Sequence, residues 1–468
     1  MSKLFRILAV ATATTLTARA ATAQLPAGTT PPTPEAFAAR IDSIVKADIL
    51  PRGFPSVSIA VTRGGRTLLE RAWGVADVAT GRKADPTTTY NLASTAKQFT
   101  AALVLKLVER GKLALTDSIG RYLKGSRPEW NAITIEQLLN HTSGLPHDYG
   151  QVGAESDSVS VEALVAMAAR DKPVSNPGTT FAYSNTGYLL LAALLETMHG
   201  KPYAAVLRDE IARPLGLKSL GSCETLPKAR VATGYFRTSF ATSIPRGAVH
   251  PSHGIGSGSI CSTAGDVARW NAALHGGRVL SAASYAAMTT PRGAAAGKYG
   301  FGLEPRTTTW GAAVISHDGE DDGFSSHNAW FPADSLSVTL LYNGLPRHEA
   351  NMGDFVGMIA LGGTPRPIPP LRVIQLPVAA TQGEGRPMFV GAYDLTVGRT
   401  FLITFDDGKL YVTPPGGSPR QLLLESGTSY RIDGLEPATV ITFNVKGGVV
   451  TGFTARSNGR DRELRKVK

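Results

Sequence analysis

The sequence predicts an α+β fold: an antiparallel sheet flanked by helices with an inserted, mainly helical region, then a small all-β, barrel-like domain. Three observations predict it. Strand patterns stand at both ends of residues 56–342, with helical periodicity between them, as when one sheet is built from the two ends of a chain. Prolines cluster at Pro365, Pro367, Pro369, Pro370 and Pro377 and read as a semi-rigid linker over 362–377. Beyond them the pattern changes to short strands separated by turns such as Asp406-Asp407-Gly408.

Taken in order, residues 34–50 read as an amphipathic helix with Phe37, Ile41, Ile44 and Val45 on one face, stopped by Pro51. Strands at 56–62 and 67–74 flank the hairpin turn Arg63-Gly64-Gly65-Arg66. A long helix begins near Ser94 and stops at Gly111. Thr134 and Gln137 make a capping box for a short helix. Apolar periodicity marks helices at 161–169 and 186–199. Strands return at 310–316, 326–331 and 337–342. The C-terminal strands fall at 401–405, 409–412, 421–424, 439–445 and 449–455.

Residues 1–23 read as a secretion signal. Lys3 and Arg6 precede a mildly apolar stretch, and Ala21-Thr22-Ala23 is a small-x-small cleavage site before Gln24. The alternative is an N-terminus that is never cleaved. No later segment has the roughly 18 apolar residues of a membrane span. These features predict a soluble exported protein, periplasmic or secreted, in a bacterium. The net charge is +11, but no basic stripe interleaves with aromatics, which argues against nucleic acid. Two cysteines, Cys223 and Cys261, lack metal-ligand spacing. They either close a disulfide or remain buried thiols. No cofactor or metal is called for.

Ser-x-x-Lys occurs twice, at Ser43–Lys46 and Ser94–Lys97. Ser43 lies inside an amphipathic helix. Ser94 lies where an irregular segment turns into a helix, which supplies free backbone N–H groups and the positive end of the dipole. Residues three apart share a helix face, so Lys97 reaches the Ser94 hydroxyl and, if burial lowers its pKa, can take the proton. The competing reading is a capping serine and a solvated lysine. Tyr183-Ser184-Asn185 follows the turn Asn176-Pro177-Gly178 and precedes an apolar helix. The phenol can relay a proton, and the Asn185 amide can hold a substrate carbonyl or orient Lys97. A buried tyrosine beside a helix cap is the alternative. His317-Asp318-Gly319 reads as a strand end, with Gly319 letting substrate lie against the edge. The backbone N–H groups of Ser94 and of a residue just after Gly319, such as Glu320, could form an oxyanion hole. His317 could equally be an ordinary strand-end histidine.

Ser94-Thr95-Ala96-Lys97, Tyr183-Ser184-Asn185 and His317-Asp318-Gly319, in that order, resemble the serine β-lactamase and penicillin-binding protein superfamily. The Tyr-x-Asn form is similar to its class C branch, with the family VIII esterases and D,D-peptidases. Supporting stretches are residues 138–145, 214–217 and 261–270, and the resemblance covers about residues 35–360. It implies a serine hydrolase domain over 24–361, with Ser94, Lys97 and Tyr183 catalytic and Asn185, His317, Gly319 and Glu320 binding substrate. Residues 378–468 resemble a lipocalin-like domain. His141, inside one supporting stretch, reads as structural, and residues 253–258 as a Gly-rich cleft wall. Many relatives have Lys-Thr-Gly where this chain has His317-Asp318-Gly319, and Glu320, Asp321 and Asp322 follow. Such a rim disfavours a carboxylate-bearing antibiotic and favours a neutral ester or a cationic amine, unless it is only a solvated turn. The expected partner is therefore a small ester, amide or peptide. The alternative function is a catalytically idle peptide- or cell-wall-binding protein of the same fold.

Overall fold

The computed structural model describes residues 29–468 apart from 151–155, 238–242, 247–248, 369–386, 395–399, 415–418, 436–437, 458–459, 467–468 and the single positions 322, 346, 349 and 407. The predicted secretion signal and most of the predicted linker lie outside the described residues.

The hairpin of β1 (Ser56–Arg63) and β2 (Arg66–Asp77) forms about Gly64 and Gly65, both at positive φ, where a side chain would be strained. A short β3 (Arg82–Lys83) follows. The other half of the sheet comes from β4 (Glu304–Thr307), β5 (Ala313–Asp321), β6 (Phe324–Phe331) and β7 (Leu336–Tyr342). The strand order is β3-β2-β1-β7-β6-β5-β4, and β1 pairs antiparallel with β7 (Val57 opposite Tyr342). The two ends of residues 56–342 thus meet at the sheet centre, as predicted.

Alternation in β1 and β7 buries both faces. Val57, Ile59, Val61, Val338 and Leu340 pack with Phe37 and Ile41 of α1 (Pro34–Ile44) and Val356 and Ile359 of α7 (Met352–Ala360). Ala60 and Leu341 face the other core. That core holds Phe99 of α2 (Lys97–Glu109), Leu190 of α5 (Asn185–His199) and Trp270 of α6 (Ala264–His275). Each such apolar side chain, once buried, contributes about 1.5–3 kcal/mol.

The inserted helices are set by local chemistry. Thr134 and Gln137 close the predicted capping box on α3 (Ile135–Leu139), and Ser160 caps α4 (Val161–Ala168). Ser184 caps α5 by accepting from Gly187 N at 3.1 Å, and Gly200 ends it at positive φ.

Three expectations shift. Pro51 does not stop the first helix; the chain tightens through Leu50–Arg52 and Gly53 ends it in the left-handed region. The helix after Ser94 starts at Lys97, and Ser94 sits in the 3-10 turn Ala93–Ala96. His317 does not end its strand: β5 runs on to Asp321, because β6 supplies ladder partners through Asp321 opposite Phe324.

The C-terminal strands close into an eight-stranded barrel: β8 (Gly391–Asp394), β9 (Thr400–Asp406), β10 (Lys409–Thr413), β11 (Arg420–Ser426), β12 (Ser429–Ile432), β13 (Val440–Lys446), β14 (Val449–Ser457) and β15 (Arg460–Lys466). Its own core includes Phe389, Tyr393, Phe443 and Phe453. Among the described residues, no helix is long and apolar enough to cross a membrane.

Cys223 and Cys261 form a disulfide that ties two short strands, Gly221–Ser222 and Ile260–Ser262. The pair closes a loop of sequence separation 38. Loop-closure entropy makes it worth about 4 kcal/mol. The double substitution Cys223→Ser, Cys261→Ser is expected to lower unfolding free energy by about that amount in urea denaturation; no change would show that the bond constrains nothing.

Candidate active site

Ser94 is placed by a strained turn. Ala93 adopts φ 48, an unusual value for a residue with a side chain, and its N–H donates to Asn91 Oδ1 at 2.8 Å. Thr95 Oγ1 stitches this turn to the sheet, donating to His317 O at 3.1 Å and pairing with Ser326 Oγ at 2.9 Å. Ser326 Oγ in turn donates to Leu92 O at 2.7 Å. Gly319 lets β5 lie this close: a Cβ there would fall 2.4 Å from Leu92 O.

Lys97 is fully buried. Its Nζ lies 3.1 Å from Ser94 Oγ and donates to Asn185 Oδ1 and Ser257 O at 2.8 Å each. Burial pulls its pKa down to about 7, against the opposing pull of Asp321 and Asp148. A neutral lysine has two N–H donors and one lone pair. The two carbonyl acceptors take the donors, which leaves the lone pair for the Ser94 hydroxyl. Asn185 is the first residue of α5 and is itself held, its Nδ2 donating to Asp148 Oδ1 at 2.8 Å.

Tyr183 lies beside this pair, with Lys97 Nζ 4.8 Å from its ring centroid. Its hydroxyl is buried and meets no partner at full hydrogen-bond geometry among the described residues, yet the Ser94 hydroxyl is near enough to draw its pKa down. Burial outweighs that pull and drives the phenol well above its usual value, so it stays protonated. His141 stacks on Tyr183 with centroids 4.1 Å apart and accepts from Ser184 N at 3.1 Å. It is buried and held neutral by desolvation and by Lys97, which agrees with a structural role. His317 is likewise buried, its pKa lowered to about 4 by desolvation and by Lys97, and its Nε2 pairs with Tyr299 Oη at 2.8 Å.

The site opens on a cleft of about 1450 Å³. Ser94, Tyr183, Asn185, His317, Gly319 and Glu320 line it, and the structure brings them together with Lys97. His253, Gly254, Ser257 and Gly258 form part of the wall, as the glycine-rich run suggested. Glu320 is not in a solvated turn. It stands near the end of β5, half-buried, 3.3 Å from Arg347 Nε. The other Ser-x-x-Lys is apart: Ser43 Oγ donates to its own helix at Ala39 O, and exposed Lys46 pairs with Asp42.

Sequence reasoning missed Asp148 and Tyr299, and it placed Ser257 in the cleft wall without its hold on Lys97. Ser257 acts through its carbonyl, which carries no residue signature. Tyr299 had a usable one: it heads Tyr299-Gly300-Phe301-Gly302, and a Cβ on Gly302 would fall 2.7 Å from the Lys97 backbone. Among the described residues, no group of three or more His, Cys, Asp or Glu side chains is placed to hold a metal.

Fold and site together define a β-lactamase-type protein, and the Beta-lactamase family model matches residues 35–360. The chain belongs to that family. Protein flp of Staphylococcus aureus is 31% identical over 202 residues, covering 42% of this chain and 41% of flp. The chain thus spans less than half the length of that relative. Penicillin-binding protein 4* of Bacillus subtilis is 25% identical over 434 residues, 88% of this chain and 95% of its own. The D-amino acid amidase of Ochrobactrum anthropi, solved with D-phenylalanine, superposes with TM-score 0.60 at 25% identity, covering 70% of this chain and 97% of the amidase.

Gly302→Ala is expected to destabilise the fold by about 1–3 kcal/mol, through backbone displacement under Lys97 and strain at φ +68. Thermal unfolding unchanged from the parent would contradict this close packing.

Proposed function

We propose that the protein is a serine hydrolase that cleaves an ester or amide through an acyl-enzyme on Ser94. The observation that carries the reading is the 3.1 Å contact between the Ser94 hydroxyl and a lysine whose two other partners are both acceptors. Ser94 Oγ attacks the substrate carbonyl while its proton passes to Lys97. The carbonyl oxygen becomes an oxyanion beside the backbone N–H groups of Ser94 and Glu320. As the C–O or C–N bond breaks, the proton reaches the leaving group through the Tyr183 phenol. Water then attacks the acyl carbon and loses its proton by the same route, which releases Ser94.

Burial makes the Tyr183 phenolate costly, so Tyr183 relays protons while Lys97 stores them. His141 and Tyr299 fix the plane of the Tyr183 ring. Residues 1–23 act as a cleaved export signal in this reading, and the Cys223–Cys261 bridge suits an oxidising compartment.

A fluorophosphonate probe is expected to label Ser94, seen as a modified Ser94 peptide by mass spectrometry, with p-nitrophenyl acetate hydrolysed in parallel. Ser94→Ala should abolish both, and Lys97→Met should slow acylation by about a thousandfold. Labelling of another residue, or none, would leave the idle binding protein as the better reading. The acylation rate should rise with pH through about 7, the pH at which Lys97 loses its proton, and fall about tenfold per unit well below it. A rate flat from pH 5 to 8 would exclude Lys97 as the base.

A further inference from the structure

We infer that the cleft selects an ester or amide carrying a primary ammonium group, and that the half-buried, unpaired Glu304 carboxylate receives it. The inference rests on the hydrolase reading for the identity of the cleft.

Glu304 stands on the edge strand β4, opposite Ser316, and lines the same cleft as Ser94, Tyr183 and His317. A carboxylate partly removed from water needs a compensating cation or donor. The other partly buried acidic side chains of the cleft wall have one. Asp318 is bound by His327 and by Arg347 at 2.5 Å, and Glu320 by Arg347 at 3.3 Å. Asp148 accepts from Asn185 and Asp321 from Asn91. Asp171 is exposed.

Glu304 makes no hydrogen bond or ion pair with any described residue. Its nearest cations are committed elsewhere: Arg306 forks onto both oxygens of Asp354 at 2.8 Å each, and Arg347 holds Asp318 and Glu320. Desolvation and the Asp318 charge raise the Glu304 pKa, the direction that a bound cation would reverse.

The surplus is local, since the whole chain carries +11. No general acidity explains an uncompensated carboxylate here. His317 of the cleft wall is neutral, so it offers no charge to a substrate carboxylate. A substrate ammonium within reach of Glu304 supplies the missing charge and forms a charge-assisted hydrogen bond.

The test uses the p-nitroanilides of glycine, β-alanine and 4-aminobutyrate, each with a free ammonium and N-acetylated. Amides of ethylenediamine and of ethanolamine serve as a second arm, with the charge on the leaving group. Binding of the matching unreactive carboxamides to the Ser94→Ala protein, by calorimetry, removes any need for turnover. The expected result is an ammonium preference of about tenfold or more at one chain length or in one arm. Glu304→Gln should bring the ratio near one through KM, and Glu304→Lys should turn it toward N-succinyl substrates, with both variants checked by thermal melting. Equal or tighter binding of the neutral partner at every length and in both arms would overturn the inference, as would a Glu304→Gln loss shared equally by both members of each pair. Ammonium preference without fluorophosphonate labelling of Ser94 would instead remove the hydrolase reading and leave this one standing.

Discussion

A lysine amine buried without a carboxylate in direct contact is the constraint on which the rest of the site depends. Lys97 meets only neutral acceptors, Asn185 Oδ1 and Ser257 O, besides the Ser94 hydroxyl. A permanently charged ammonium there would lack the compensation that burial demands. The acids that favour its charged form, Asp321 and Asp148, stand further off, and Asp148 acts through Asn185. The amine is thereby poised near neutrality. Three segments far apart in the chain must converge to hold it: the start of α2, the start of α5 and the turn at Ser257.

The aromatic wall around the lysine follows the same logic. His141, Tyr183, Tyr299 and His317 form a contiguous set, with Tyr183 edge-on to Tyr299 at 6.0 Å and Tyr299 bonded to His317. Both histidines are kept neutral by burial and by the lysine itself. In the proposed mechanism the one mobile positive charge among these groups is that of Lys97. The protonated phenol beside it links the amine to the open cleft without holding charge of its own.

Much of this was legible because it is local. The i to i+3 spacing of Ser94 and Lys97, the Thr134–Gln137 capping box and the i to i+2 spacing of Tyr183 and Asn185 are short-range patterns with a defined geometry. The two halves of the sheet were visible as strand periodicity at either end of the helical middle. What escaped was non-local or carried by backbone. Residues 320–323 could be read as a solvated turn because Asp and Gly punctuate them. The pairing of β5 with β6 extends the strand through Asp321, and Arg347, distant in sequence, holds Asp318 and Glu320. Ser257 contributes a carbonyl that any residue could supply. Glu304 carried no signal in the sequence; only the commitment of its neighbours to other partners singles it out.

The most direct test of the central claim is titration of the Lys97 side-chain nitrogen by 15N NMR in lysine-labelled protein, assigned by its loss in Lys97→Met. A midpoint of about 7, against 10.5 for an unperturbed lysine, is the predicted result. A midpoint near 10 would mean that the lysine stays charged at neutral pH and cannot take the Ser94 proton, and the account of the site would fail.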